Sequence, residues 1–121
     1  MKRILVVDDD ARLCEVMQDL LTQEGYDVVL AHEGQSALER LRDGGVDLLI
    51  VDINMPGLGG ASLVQLLRTE PEWQRFARLP IIVVSALWGV VTFDLDIQAG
   101  FAKPVRHQEL VAKIRELIGP A

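Results

Sequence analysis

The sequence predicts an α/β domain in which a five-stranded parallel sheet is flanked by helices. Three observations predict it. Apolar, β-branched runs alternate along the chain with stretches that place apolar residues at three-and-four spacing, which is the pattern of βαβ units. Four of the runs end on a polar residue: Ile4 to Val7 on Asp8-Asp9, Leu48 to Val51 on Asp52, Ile81 to Val84 on Ser85, and Phe101-Ala102 on Lys103-Pro104. Finally, 121 residues suit a single domain over 1–121, and a domain of that size buries roughly two thirds of its unfolded surface without disulfides or structural metal.

The elements follow in order. After the first strand, Leu13, Val16, Met17, Leu20 and Leu21 mark one helical face, with Asp10 as N-cap and Gly25 as the stop. Tyr26 to Ala31 reads as the second strand, Gln35 to Arg42 as a helix closed by Gly44-Gly45, and Val46 to Val51 as a buried third strand. Met55-Pro56-Gly57-Leu58-Gly59-Gly60 is a turn-rich loop, after which Leu63, Leu66 and Leu67 restore helical spacing over Ala61 to Glu70. Pro71 to Leu79 reads as a polar connection packed down by Trp73 and Phe76, and Pro80 opens the fourth strand. Leu87 to Gly100 is the least regular stretch, because Val90-Val91-Thr92-Phe93 is poorly helical; a short or distorted helix is expected there. Leu110, Val111, Ile114, Leu117 and Ile118 stripe a last helix over Gln108 to Ile118, ended by Gly119-Pro120.

Half the residues are apolar and a quarter charged, as in an ordinary globular chain. A net charge of -6 and the absence of a basic stripe speak against direct nucleic-acid binding, which needs cations to neutralise phosphates. The lone Cys14, set among Leu13, Val16 and Met17, reads as a small buried apolar side chain in a reducing, cytoplasmic setting. The apolar run after Met1-Lys2-Arg3 is too short for a signal peptide, and nothing reaches membrane-spanning length.

If the four runs are neighbouring parallel strands, their polar ends meet at the carboxyl edge of the sheet, where open α/β sheets bind ligands. Crowded carboxylates raise one another's pKa, so the cluster calls for a divalent cation and a doubly charged anion such as phosphate. A carboxylate attacks a phosphoryl group to give an acyl phosphate, and this needs positioning and charge neutralisation more than acid–base machinery. Asp52 is placed for that role. Asp8 or Asp9, together with Asp52, would ligate Mg²⁺, with the backbone carbonyl of Asn54 a candidate third ligand. Lys103 as a point charge and the Ser85 hydroxyl as a donor would each hold a phosphoryl oxygen.

Taken singly, each of these residues has a plainer explanation: an acidic triplet after a strand is usually a solvated cap, and a lone serine or lysine means little. Their joint placement on four strand ends is what carries weight. Over nearly its whole length the chain resembles the receiver domains of bacterial two-component response regulators, of which the chemotaxis-type receivers are examples. The motifs Ile4 to Asp10, Asp47 to Gly60, Pro80 to Ala86 and Lys103-Pro104 carry the likeness. The resemblance implies a flavodoxin-like sandwich with strand order 2-1-3-4-5. It matches Asp8 and Asp9 to the family's acidic pair, Asp52 to its phosphoacceptor, Ser85 to its switch hydroxyl and Lys103 to its lysine, with a cis peptide before Pro104. It also implies Mg²⁺ as cofactor, a sensor histidine kinase or histidine phosphotransfer protein as donor, and a downstream protein target. Membrane and direct nucleic-acid contacts are not expected, and the state is monomer or weak dimer. In such a domain Ser85 swings toward the phosphoryl group and reshapes the face made by the fourth helix, fifth strand and last helix, until hydrolysis resets it. No enzyme activity is expected beyond slow self-catalysed transfer and dephosphorylation.

The sequence departs from the family pattern where that output face should lie. Receivers commonly carry more residues between hydroxyl and lysine, and an aromatic residue three before the lysine; Gly100 stands there, with Phe101 one place later. Either Phe101 takes over through a register shift or the aromatic is absent, and absence is the reading preferred. Two rival functions compete with this reading. A phosphatase of the haloacid dehalogenase type needs a second acid two residues after its nucleophile, where this chain has Asn54. A degenerate receiver acting as a phosphorylation-independent protein-binding module is favoured by the odd 87–100 stretch and opposed by Asp52, Lys103 and the acidic pair. A stand-alone shuttle is the preferred organisation over a piece of a larger regulator.

Overall fold

The computed structural model describes residues 1–90 and 94–121. Its five strands are β1 (Arg3–Val7), β2 (Asp27–Ala31), β3 (Leu48–Val51), β4 (Ile81–Ser85) and β5 (Ala99–Ala102). They form one parallel sheet in the order β2-β1-β3-β4-β5. The α-helices are α1 (Ala11–Gln23), α2 (Gly34–Asp43), α3 (Gly60–Thr69) and α4 (His107–Ile118). The strand order, and the helices at the positions of the first, second, third and last expected ones, agree with the sequence reading.

Both faces of the sheet are covered, which explains why the central strands read as unbroken apolar runs rather than alternating ones. Leu5, Leu49, Val51, Ile81 and Val83 pack under α2 and α3. Ile4, Val6, Ile50, Ile82 and Val84 pack under α1 and α4. Asp10 caps α1 as expected, its Oδ1 accepting from the amides of Arg12 and Leu13 at 3.1 and 3.2 Å. Cys14 is buried in the α1 face, donates to the Asp8 carbonyl at 3.3 Å, and has its thiol pushed up to about 11 by burial. Val16 departs from the expected helical stripe, standing 52% exposed.

The connection after α3 is more ordered than expected. Pro71–Phe76 forms a 3₁₀ helix with proline in its first turn, where a missing N–H costs nothing. Trp73 and Phe76 pack it down as the sequence suggested, with ring centroids 5.7 Å apart. Arg42 lies over Trp73 at 5.0 Å and Arg75 over Phe76 at 4.7 Å.

The largest departure lies between β4 and β5. Of the 87–100 stretch expected to hold a short or distorted fourth helix, residues 87–90 and 94–98 are turn and irregular chain apart from an isolated bridge at Trp88, and no described residue is helical. Val91, Thr92 and Phe93 lie outside the described residues. Arg68 at the end of α3 anchors this connection. Its Nε donates to the Asp96 carbonyl at 3.0 Å, one terminal nitrogen to the carbonyls of Phe76 and Ala77 at 3.0 and 2.9 Å, and the other to Leu79 O and Gln98 Oε1 at 2.7 and 3.3 Å. Every guanidinium N–H is thus satisfied. Burial lowers the Arg68 pKa, and the Asp96 charge opposes that shift. Gln98 extends the tie by accepting from Ile81 N at 2.7 Å through the same Oε1. The sequence shows only an arginine at the end of a helix and gives no sign of this role.

Candidate functional site

Parallel strands point their carboxyl ends one way, so the residues following β1, β3 and β5 arrive at a common edge. Register fixes which ones meet: Val7 pairs with Val51, which sets Asp8 beside Asp52, and Ser85 pairs with Ala102, which sets Lys103 just beyond. The structure brings three of the sequence-predicted acids together, since Asp8, Asp9 and Asp52 each offer a carboxylate oxygen within 4.8 Å of the others. Lys103 Nζ lies 2.8 Å from both Asp8 Oδ2 and Asp52 Oδ2. The Lys103–Pro104 peptide is cis, as the resemblance implied.

Each buried carboxylate is held by its own loop. Asp8 Oδ1 accepts from the amide of Asp10, and Asp52 Oδ1 from that of Asn54, both at 2.9 Å. These are Asx-type turns that leave the opposite oxygens facing the lysine. Asn54 itself is exposed. Asp9 is exposed, and its carboxylate has no hydrogen bond or ion pair among the described residues. Ser85 is fully buried at the end of β4; its Oγ accepts from Leu87 N at 3.2 Å and its carbonyl from Lys103 N at 3.2 Å.

Electrostatics follow from that geometry. Burial raises the Asp8 carboxyl, and the hydrogen bond from Lys103 offsets the rise only in part. Burial pushes the Lys103 ammonium down, but its hydrogen bonds to Asp52 and Asp8 prevail and its pKa is raised. One cation among three carboxylates leaves an excess of negative charge. The donors are all oxygen, they share one small region, and Asp9 is free to turn inward; this set fits a hard divalent cation that keeps some of its waters. Replacing Asp9 by alanine is expected to weaken Mg²⁺ binding about tenfold, on the scale of one lost carboxylate interaction. Titration calorimetry giving the parent affinity for that variant would remove Asp9 from the ligand set.

Gly60, at the end of the turn-rich loop, is a positioning residue: a methyl group there would overlap the carbonyl of Asp52 and Cα of Ile53. Absence of a side chain lets the start of α3 approach the end of β3 and fix Asp52. Phe101 lies in β5 one place beyond Gly100. It pairs with Val84 without any register shift and packs with the α1 and α4 core, on the opposite face of the sheet from the direction a Gly100 side chain would take.

A family model for the response regulator receiver domain matches residues 4–115. The chain belongs to the response regulator receiver family. The transcriptional regulatory protein CpxR of Escherichia coli K12 is 34% identical over 122 residues, covering 98% of this chain and 50% of CpxR. The chain therefore spans about half the length of the curated relatives it matches. Among solved structures, response regulator TrrA of Thermotoga maritima in complex with Mg²⁺–BeF is 30% identical with a TM-score of 0.79, covering 98% of this chain and 100% of that one. The same regulator in complex with histidine kinase ThkA is 31% identical with a TM-score of 0.80, covering 98% and 99%. As a receiver domain, the chain has the flavodoxin-like order that its strands display, and its acidic group lies where a magnesium pocket is expected. Among the described residues no helix is long and apolar enough to cross a membrane.

Proposed function

We propose that this receiver accepts a phosphoryl group on Asp52 from a phosphohistidine of a sensor kinase or phosphotransfer protein. One observation carries the reading: a buried strand-end carboxylate held by Lys103 at 2.8 Å within an acidic group able to take a divalent cation. An Asp52 oxygen attacks phosphorus, the phosphorus–nitrogen bond to the donor imidazole breaks, and the imidazole keeps the electron pair. Asp8, Asp9, Asp52 and the Asn54 carbonyl would hold Mg²⁺, which supplies charge neutralisation for the incoming phosphoryl oxygens. Lys103 stays within reach of one phosphoryl oxygen, and the Ser85 hydroxyl donates to another. Water later cleaves the acyl phosphate, and the domain performs no other chemistry.

The donor's approach has a matching surface. Leu13, Val16, Met17, Leu20, Pro104 and Val105 line an apolar groove of about 380 Å³ that opens beside Lys103. A helix bearing the phosphohistidine would seat its apolar face there while its imidazole reaches Asp52. The outcome is a switch in protein contacts with a downstream target, in the cytoplasm.

The test is incubation with acetyl phosphate and Mg²⁺ followed by intact-mass measurement. A gain of one HPO₃ in the parent, lost in Asp52→Asn, is expected. No gain in the parent rejects phosphoacceptance and leaves the phosphorylation-independent binding module as the better reading.

A further inference from the structure

Trp88 is a large aromatic side chain in the irregular turn after β4, and the site as described gives it no role. Its placement is specific. A methyl group on Gly100 of β5 would overlap Trp88 Cε2 and Cζ2, so the indole fills the space that a side chain at that strand position would need. Trp88 is half-buried, and it, Leu95 and Ile97, all from the connection in which no described residue is helical, pack against the α2 and α3 core. The exposed Val90 lies two residues on.

The turn that carries the indole is fastened to the pocket at both ends. Trp88 N donates to the Ser85 carbonyl at 3.2 Å, Leu87 N donates to Ser85 Oγ at 3.2 Å, and Lys103 N donates to that same Ser85 carbonyl at 3.2 Å. Among the described residues, the bond from Leu87 is the only one made by the Ser85 hydroxyl. Its proton is therefore free to seek an acceptor, and an anionic group on Asp52 would be a stronger one than anything the pocket offers beforehand. If Oγ turns toward such a group, the Leu87 bond is strained or lost and the four-residue turn must move. The indole rests on a bare glycine and has no side-chain lock from β5, so it moves with the turn.

We propose that Trp88 is the relay by which the state of Asp52 reaches the protein surface: the indole sits on Gly100 while the pocket is unphosphorylated, and leaves that seat when Ser85 turns to the phosphoryl group. This rests on the reading of Asp52 as phosphoacceptor. Trp88 is a positioning residue that acts through Ser85 and touches none of the reacting atoms. The bistable element is the Ser85–Trp88 turn, with two arrangements of one short hydrogen-bonded unit.

The two indole N–H resonances of the uniformly ¹⁵N-labelled chain, from Trp73 and Trp88, give the test, with Trp88→Phe assigning them. Acetyl phosphate and Mg²⁺ are added, and intact mass is read on the same sample. With the mass gain present, the Trp88 resonance is expected to shift while the Trp73 resonance, from the buried indole of the 3₁₀ helix, stays in place; Asp52→Asn shows neither gain nor shift. Gly100→Ala, which evicts the indole, should move the Trp88 resonance toward its phosphorylated position without any phosphoryl donor. A full mass gain with an unmoved Trp88 resonance overturns the relay and leaves phosphoacceptance standing. An absent mass gain removes phosphoacceptance and the relay with it.

Discussion

Replacing Lys103 by methionine is expected to slow phosphoryl uptake from acetyl phosphate by about two orders of magnitude, the scale of one lost charge-stabilising donor. The substitution keeps an unbranched stem and removes only the ammonium, which holds Asp8 Oδ2 and Asp52 Oδ2 at 2.8 Å each. Without it, three neighbouring carboxylates have no protein cation in contact among the described residues. Burial already raises Asp8 with the lysine in place, so the cluster of the variant depends wholly on a bound metal for balance. Mg²⁺ should therefore raise the melting temperature of Lys103→Met by more than it raises that of the parent. A mass time course and a melting curve with and without Mg²⁺ measure both effects. Parent-like uptake would show that the lysine is an ornament of the pocket, and equal Mg²⁺ stabilisation would show that it does not compete with the metal for the same oxygens.

Arg68→Met should cost about 3 kcal/mol or more of stability, because it strands several inward-facing carbonyls that a charged donor now satisfies. The guanidinium is 7% exposed, and its hydrogen bonds reach Phe76, Ala77, Leu79, Asp96 and Gln98. Its ion pair with Asp96 at 3.7 Å contributes little beside these, since that carboxylate is 75% exposed. In a domain of this size such a loss lowers the melting temperature by roughly 10 °C. Urea unfolding gives the free energy directly. The acidic pocket lies at the other end of the strands, so the folded variant should still take up phosphate at the parent rate. A destabilisation of only a few tenths of a kcal/mol would mean that the connection between β4 and β5 holds itself in place.

The strands and most helices were legible because both sheet faces are buried. Ile4 to Val7, Leu48 to Val51 and Ile81 to Val84 are apolar throughout, a pattern that only doubly covered strands maintain. The pocket was legible because each of its acids and its lysine sits within one or two residues of a strand end, where chain order alone brings them together. What escaped was everything decided by a single long side chain across the fold. Arg68 looks like a surface residue until the carbonyls of 76–79 are in place around it. Trp88 cannot be assigned a partner by spacing, since the turn that carries it has no period; its seat is visible only as missing volume at Gly100. The 3₁₀ helix after α3 was hidden by its brevity, for six residues beginning with proline hold no helical repeat to detect.

Phosphoacceptance by Asp52 is tested most directly by trapping the product. After acetyl phosphate and Mg²⁺, borohydride reduces an acyl phosphate to an alcohol, so a modified aspartate is read as homoserine in peptide sequencing by mass spectrometry. Homoserine at position 52, dependent on Mg²⁺ and absent without phosphoryl donor, is the expected result. Homoserine at Asp8 or Asp9 instead, or at no acidic residue of the pocket, contradicts it.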